Sequence, residues 1–197
     1  MVTLRLPDGS AKEAPAGITS KQIAEGIGKR LAQAAIAAKV DGEIVDLERE
    51  LPKDGEHTFQ ILTEKDADAL DVLRHSCAHV MARAVMRLYP GTQLAFAPGG
   101  DFGFYYDIDS PTPIREEDFP KIEAEMKKIV DKAEPFERFE KVTPEARGLC
   151  ADLKQTLKVE HTDDDLKQYP SLSFYRQGEL IDLCRGPHIP HAGKIGA

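Results

Sequence analysis

Leu70 to Tyr89 is the stretch that most restricts what this chain can fold into. Apolar residues recur through it at helical spacing and Pro90-Gly91 stops it, which predicts one long helix. Leu70, Leu73, Cys77, Val80, Met81, Ala84 and Leu88 fall on one face. The opposite face carries His75 and His79 beside Val72, Ala82 and Met86, and is too apolar to be simply solvated. Such a helix is expected to be covered on both sides, with its histidines lining a cleft. The two imidazoles, four residues apart, project the same way from adjacent turns. About a hundred residues downstream, Cys184-Arg-Gly-Pro-His188 repeats the spacing with a thiol and an imidazole. Two such pairs exceed the needs of a core and mark a candidate site.

The segment before the helix reads as a small module. Val2–Leu6 and Ser10–Ala14 form a hairpin around Pro7-Asp8-Gly9. Thr19 or Ser20 caps a helix with Ile23, Ile27, Leu31 and Ala34 on its apolar face. Ala35–Val40 and Glu43–Leu47 are strands around Asp41-Gly42, and Thr58–Leu62 is a further strand. This order suits a β-grasp-like unit over residues 1–63, one helix on a mixed sheet. Glu64–Ala69 is the linker or helix start, opening a second domain over 64–197.

In that second domain, Gln93–Pro98 and Gly103–Ile108 read as strands around a Gly99-Gly100 turn. Helices are expected over Asp118–Ala133, with Phe119, Ile122, Met126, Ile129 and Val130 on one face, and over Thr143–Leu157. Ser173–Arg176 and Glu179–Leu183 make a hairpin at Gly178 that delivers Asp182 and Cys184 at a strand end. The fold class is α+β, with an antiparallel sheet and a central His-bearing helix in the second domain.

Composition narrows the function. A net charge of -8 over 197 residues excludes a general nucleic-acid coat but leaves room for a local basic rim. Arg74, Arg83, Arg87, Lys127, Lys128 and Arg185 are its candidates. Three cysteines argue against a disulfide framework and for a reducing, cytoplasmic setting. No run approaches a membrane span, and the amino terminus has no leader pattern. Cys77 and Cys150 read as core thiols, His57, His161 and His191 as solvated loop residues, and Asp163–Asp165 as a solvated turn. Phe104-Tyr-Tyr106 is the main aromatic cluster, core in character, with room for one tyrosine in the cleft.

Two imidazoles, a thiol and a third imidazole suit tetrahedral zinc. They equally suit metal-free hydrolysis, in which a near-neutral imidazole acts as base on water and a lysine stabilises the oxyanion. The residue types do not choose between these.

Arg74-His-Ser-Cys-Ala-His79 followed by Cys184-Arg-Gly-Pro-His188, with Gly103-Phe-Tyr-Tyr-Asp107 between them, closely resembles the editing domain of bacterial-type threonyl-tRNA synthetases. Residues 1–62 resemble the small TGS domain that precedes it there. The histidine pair is shared with alanyl-type editing proteins, but the preceding module favours the threonyl family. The resemblance implies hydrolysis of serine wrongly esterified to threonine tRNA, with Thr-tRNA spared by a double sieve. Carried over residue by residue, it implies His75, His79, Lys158, Asp182 and Cys184 as catalytic. His75 and Lys158 would position or activate water, Asp182 would bind the seryl ammonium, and Cys184 and His79 would shape the pocket and hold the adenosine end. Tyr106, Arg185 and His188 are implied in substrate binding. No cofactor is required on this reading; the alanyl relatives carry zinc on ligands equivalent to His75, His79, Cys184 and His188. The implied partner is the acceptor end of tRNA(Thr), with no membrane partner. The aminoacylation and anticodon-binding domains are not in this sequence, and they or a synthetase acting in trans are further expected partners. A non-enzymatic TGS-type module binding RNA or another ligand is the contrasting expectation.

Overall fold

The computed structural model describes residues 1–95, 99–100 and 103–196. They form two compact units: Met1–Leu73 with Gly186–Pro190, and Arg74–Arg185 with His191–Ala197.

In the first unit, β1 (Val2–Arg5) and β2 (Ala11–Ala14) form the expected hairpin. Thr19 caps α1 (Ser20–Ile27) with a reciprocal capping box to Gln22. The helix expected to run on through Ala34 instead breaks at Gly28, and Lys29–Ala34 forms a separate α2. Glycine is the residue whose helical state costs most backbone entropy, so a break there is inexpensive. Ile27 ends up exposed rather than on the buried face. β3 (Ala35–Val40), β4 (Glu43–Val45) and β5 (Glu56–Thr63) follow. Asp41 and Gly42 take φ of 49° and 86°, as a tight hairpin turn requires. The sheet order is β2-β1-β5-β3-β4, with β1 parallel to β5 and the other pairs antiparallel. Val2, Leu4, Ile23, Ala24, Ala38, Leu47 and Phe59 form its core. The sheet and its helices are the mixed β-grasp arrangement expected from the pattern. His57 is not a solvated loop residue. It lies on β5, with Nδ1 2.5 Å from Asp41 Oδ2 and Nε2 2.8 Å from the Asp54 carbonyl.

A 22-residue helix, α3 (Ala67–Leu88), begins in the first unit and continues in the second. The apolar stripe expected on it is only partly buried. Leu70 and Leu88 are exposed, whereas Ser76, His79 and Arg83 are closed to solvent. The expectation of cover on both sides holds, but the better buried face carries the polar residues.

In the second unit, short strands β6 (Gln93–Leu94), β7 (Gly99–Gly100), β8 (Gly103–Phe104) and β9 (Ile108–Asp109) follow. β6 pairs with β9 and β7 with β8, so Gly99-Gly100 is a paired strand rather than a turn. The expected strand continued to Pro98; residues 96–98 lie outside those described. A 3-10 turn at Glu116–Asp118 leads into α4 (Phe119–Asp131), whose buried residues are Ile122 and Ile129. Phe119, expected on that face, is exposed because it opens the helix beside Pro120. β10 (Glu137–Val142), missed in the sequence, is followed by α5 (Thr143–Asp152), α6 (Thr156–Asp164), β11 (Ser171–Gln177) and β12 (Leu180–Leu183). β10, β11 and β12 make an antiparallel sheet in that order.

The helix expected over Thr143–Leu157 is thus two helices. Lys154 at the break has φ 58°. Gln155 holds the break in place: its Oε1 accepts from Leu94 N–H at 2.7 Å, and its Nε2 donates to the Thr92 carbonyl. Gln93 Oε1 in turn accepts from Thr156 N–H at 2.7 Å and satisfies one of the free donors opening α6. Lys158 therefore sits in the first turn of α6, and Asp163 and Asp164 are helical rather than in a turn. Two apolar groups flank this arrangement. One joins Ala78, Ala82, Leu94, Tyr106 and Leu180; the other joins Ala146, Cys150, Leu172, Phe174 and Leu183.

Candidate active site

The polar stripe of α3 faces β12, and the two elements match in pitch. Four residues of helix advance about 6 Å. Two residues of strand advance nearly as far. His75 and His79 on the helix therefore meet Cys184 and Asp182 in turn, and Arg83, a further turn along, meets Glu179 in the hairpin turn three residues before Asp182. His75 Nε2 lies 3.1 Å from Cys184 Sγ. His79 Nδ1 lies 3.7 Å from Asp182 Oδ2. Arg83 Nη2 donates to Glu179 Oε2.

Asp182 is the electrostatic centre. Lys158 Nζ lies 3.1 Å from Oδ1, and Tyr106 donates its hydroxyl proton to Oδ2. Lys158 also donates to the Leu183 carbonyl at 3.3 Å and lies 3.4 Å from the Tyr106 hydroxyl. All of this is buried. The His75 and His79 rings meet edge to face at 5.0 Å, and His79 meets Tyr106 in the same way at 5.7 Å. Ser173 braces the strand end: its hydroxyl donates to the Cys184 carbonyl at 2.7 Å, and Cys184 N–H donates to the Ser173 carbonyl.

Burial holds His79 neutral, its pKa pushed down to about 3; Asp182 opposes this, while His75 and Lys158 reinforce it. Burial also raises the Tyr106 hydroxyl well above its usual value, with the Asp182 carboxylate adding to the effect, so it stays a proton donor. Cys77 and Cys150 are pushed up to about 11 by burial, which suits packing thiols rather than nucleophiles.

The structure thus brings together His75, His79, Lys158, Asp182, Cys184 and Tyr106, all named from the sequence. Arg185 is exposed beside them in the chain. His188 is buried, and its backbone N–H donates to Asp46 Oδ1 at 2.7 Å. Within the second unit, the ligand atoms of His75, His79 and Cys184 lie within 4.8 Å of one another. Two imidazoles and a thiol at that separation supply three of the four donors that a tetrahedral zinc site uses.

The basic rim fares differently. Arg83 is 1% exposed and is tied to Glu134, Gln177 and Glu179, so it is no surface cation. Arg87 is held by Glu125 and Glu179. Lys127 and Lys128 are exposed but pair with Asp131 and Glu125. The part played by Arg83 went unread in the sequence, although its place four residues after His79 was the available signal.

Comparison with known proteins finds two matching families and a set of close relatives. The TGS domain family matches residues 2–63. The threonyl and alanyl tRNA synthetase second additional domain matches residues 172–197, which include β12, Cys184 and His188. The chain is 57% identical over 200 residues to a threonine–tRNA ligase of Rhodopirellula baltica, covering all of this chain and 27% of that protein. It is 45% identical to the enzyme of Thiobacillus denitrificans, over 99% of this chain and 30% of that protein. It is 46% identical to that of Symbiobacterium thermophilum, over all of this chain and 30% of that protein.

The chain is homologous to the amino-terminal region of the threonine–tRNA ligases. It spans less than a third of the length of these relatives. Its first module is of the TGS type, and the strand end bearing Asp182 and Cys184 lies in the part shared by threonyl and alanyl synthetases. Among the described residues, no helix is long and apolar enough to cross a membrane.

Proposed function

We propose that the chain is an editing hydrolase, the portion of a threonine–tRNA ligase that removes serine from mischarged threonine tRNA and spares Thr-tRNA. On this reading the editing region begins near residue 64, after the TGS domain, and the setting is cytoplasmic. One observation carries the proposal: a buried Lys158–Asp182–Tyr106 cluster stands beside His79, with the His75–Cys184 pair on the next turn.

Each group has a task in ester hydrolysis. His75 takes a proton from water as the water oxygen bonds to the carbonyl carbon, and returns it to the adenosine oxygen as the ester C–O bond breaks. The Lys158 ammonium stabilises the oxyanion. Neutral His79 and Cys184 wall the pocket. Asp182 spends one interaction on Lys158 and one on Tyr106, and a carboxylate has acceptor capacity left for the seryl ammonium. Tyr106, Arg185 and His188 complete the substrate contacts. Threonine differs from serine by one methyl group, worth about 1–3 kcal/mol in a binding pocket but excluded outright by a clash in a tighter one.

The test is deacylation of Ser-tRNA(Thr) and Thr-tRNA(Thr) by the purified chain and by His75→Ala. Ser-tRNA should be hydrolysed and Thr-tRNA left intact, with the variant slower by about a hundredfold or more. Equal loss of both esters would show that the pocket is no threonine sieve.

The grouping of His75, His79 and Cys184 supports a second reading, a zinc-dependent deacylase of the alanyl type. His75, His79, Cys184 and His188 would hold the metal, which would supply Lewis-acid polarisation of the ester and an acidified water. One equivalent of zinc in chain purified without chelator would favour this reading over the first.

A further inference from the structure

Arg83 is among the most deeply buried large side chains of the second unit, yet it carries a full charge. Its guanidinium is clamped from several sides. Nη1 donates to Glu134 Oε2 at 2.6 Å and to Gln177 Oε1 at 2.7 Å, and Nη2 donates to Glu179. Gly178, between those two hairpin residues, lies against the same guanidinium so closely that a Cβ there would sit 2.0 Å from Nη2. The hairpin turn between β11 and β12 is therefore moulded around this one side chain. Desolvating a guanidinium is costly, and apolar packing would serve a core at lower cost. What a forked, directional cation adds is geometric definition.

We propose that Arg83 is a positioning residue, fixing the axial register of α3 against β12 and thereby the two contacts on which the site depends. His79 is one turn from Arg83 and meets Asp182; His75 is a further turn away and meets Cys184. The helix is one continuous element along this line, so a slip at the Arg83 end is carried to both pairs. The helix's own small and apolar residues Ala78, Met81 and Ala82, which group with Leu94, Tyr106 and Leu180, set the distance of approach but offer little resistance to sliding. The clamp supplies that resistance.

The inference rests on the proposed hydrolysis for its kinetic arm alone. The test uses the full chain with Arg83→Lys, which keeps the charge but loses the fork, and Glu179→Ala, which frees Nη2. The Glu179 side chain is 54% exposed, so that variant keeps the fold if the first does not. Side-chain nitrogen–proton spectra of labelled histidines report the His75 and His79 rings directly, with His57 of the first unit as control. The His75 and His79 signals should move by more than a linewidth in both variants while His57 stays in place. For Ser-tRNA hydrolysis, kcat should fall by about tenfold or more with KM within about twofold, since misplacement of about 1 Å far from the chemistry can cost a hundredfold. Unmoved His75 and His79 signals in folded Glu179→Ala would overturn the positioning role, as would an unchanged kcat. If the wild-type chain hydrolyses no aminoacyl ester, the proposed activity falls, and the imidazole signals still decide the role of Arg83.

Discussion

Lys158 Nζ lies 3.1 Å from Oδ1 of Asp182, and both side chains are closed to solvent. Their mutual attraction offsets part of the cost of taking both groups out of water, and Tyr106 and the Leu183 carbonyl satisfy part of what remains. On the proposed reading, Lys158 faces the oxyanion and Asp182 the seryl ammonium, and preorganised groups of this kind cost no reorganisation when substrate arrives.

Breaking that pair should be costly. Lys158→Met leaves the Asp182 carboxylate buried without its cation and should destabilise the chain by about 3–5 kcal/mol. Urea unfolding of the single variant and of Lys158→Met/Asp182→Asn checks this. The double variant should recover a large part of the loss, and equal midpoints for wild type and Lys158→Met would refute it.

Gly178→Ala should lower stability on two counts. Its φ of 59° disfavours any side chain, and the new methyl would overlap the Arg83 guanidinium. The guanidinium is the end of a long side chain, but its three partners prevent it from swinging aside. A loss of about 1–3 kcal/mol is expected, measured by thermal or urea unfolding. Gly9, also at positive φ but with open space around it, should respond to alanine less strongly.

In the first unit, His57 has its pKa raised above the usual 6.5, chiefly by the hydrogen bond to Asp41 and then by the Asp54 carbonyl. A raised folded-state value gives stability that is complete below the unfolded pKa and is lost as pH rises through the folded one. The stability of the β-grasp unit should therefore decline somewhat as pH rises from the unfolded histidine value of about 6.5 through the raised folded one. Asp41→Asn should remove that slope. Proton NMR titration of His57 should show its midpoint above 6.5 in the wild type and returning towards it in the variant.

Chelation discriminates between the two hydrolytic readings. The Lys158 ammonium shares Asp182 with His79, so a dication on the neighbouring imidazoles would face a buried positive charge. Ser-tRNA hydrolysis should therefore survive prolonged dialysis against EDTA within about twofold, a margin that separates metal-free catalysis from a site reliant on a Lewis acid. Loss of activity on dialysis and its return with zinc would transfer the role to the metal.

Much of this was written locally. The Asp41-Gly42 turn, the capping box at Thr19 and the alternation of β1 depend on near neighbours, and so they define the first module. The His-x-x-x-His spacing on α3 and the Gly178 hairpin ahead of Cys184 are likewise local patterns, and they set two imidazoles on one helix face and a thiol at a strand end.

What the amino-acid order by itself determined is which side chains share a helix face or a strand end, because backbone geometry repeats every few residues. Only the tertiary structure decided their surroundings. The break at Leu153–Gln155 contains neither glycine nor proline; it exists because Gln155 and Gln93 exchange hydrogen bonds between α6 and β6, and it sets Lys158 against Asp182. Arg83 and Arg87 read as surface charges until Glu179, over ninety residues away, folded back on them. Burial and charge pairing are sums over neighbours distant in sequence, so the same residue types become rim or core according to what the fold sets beside them.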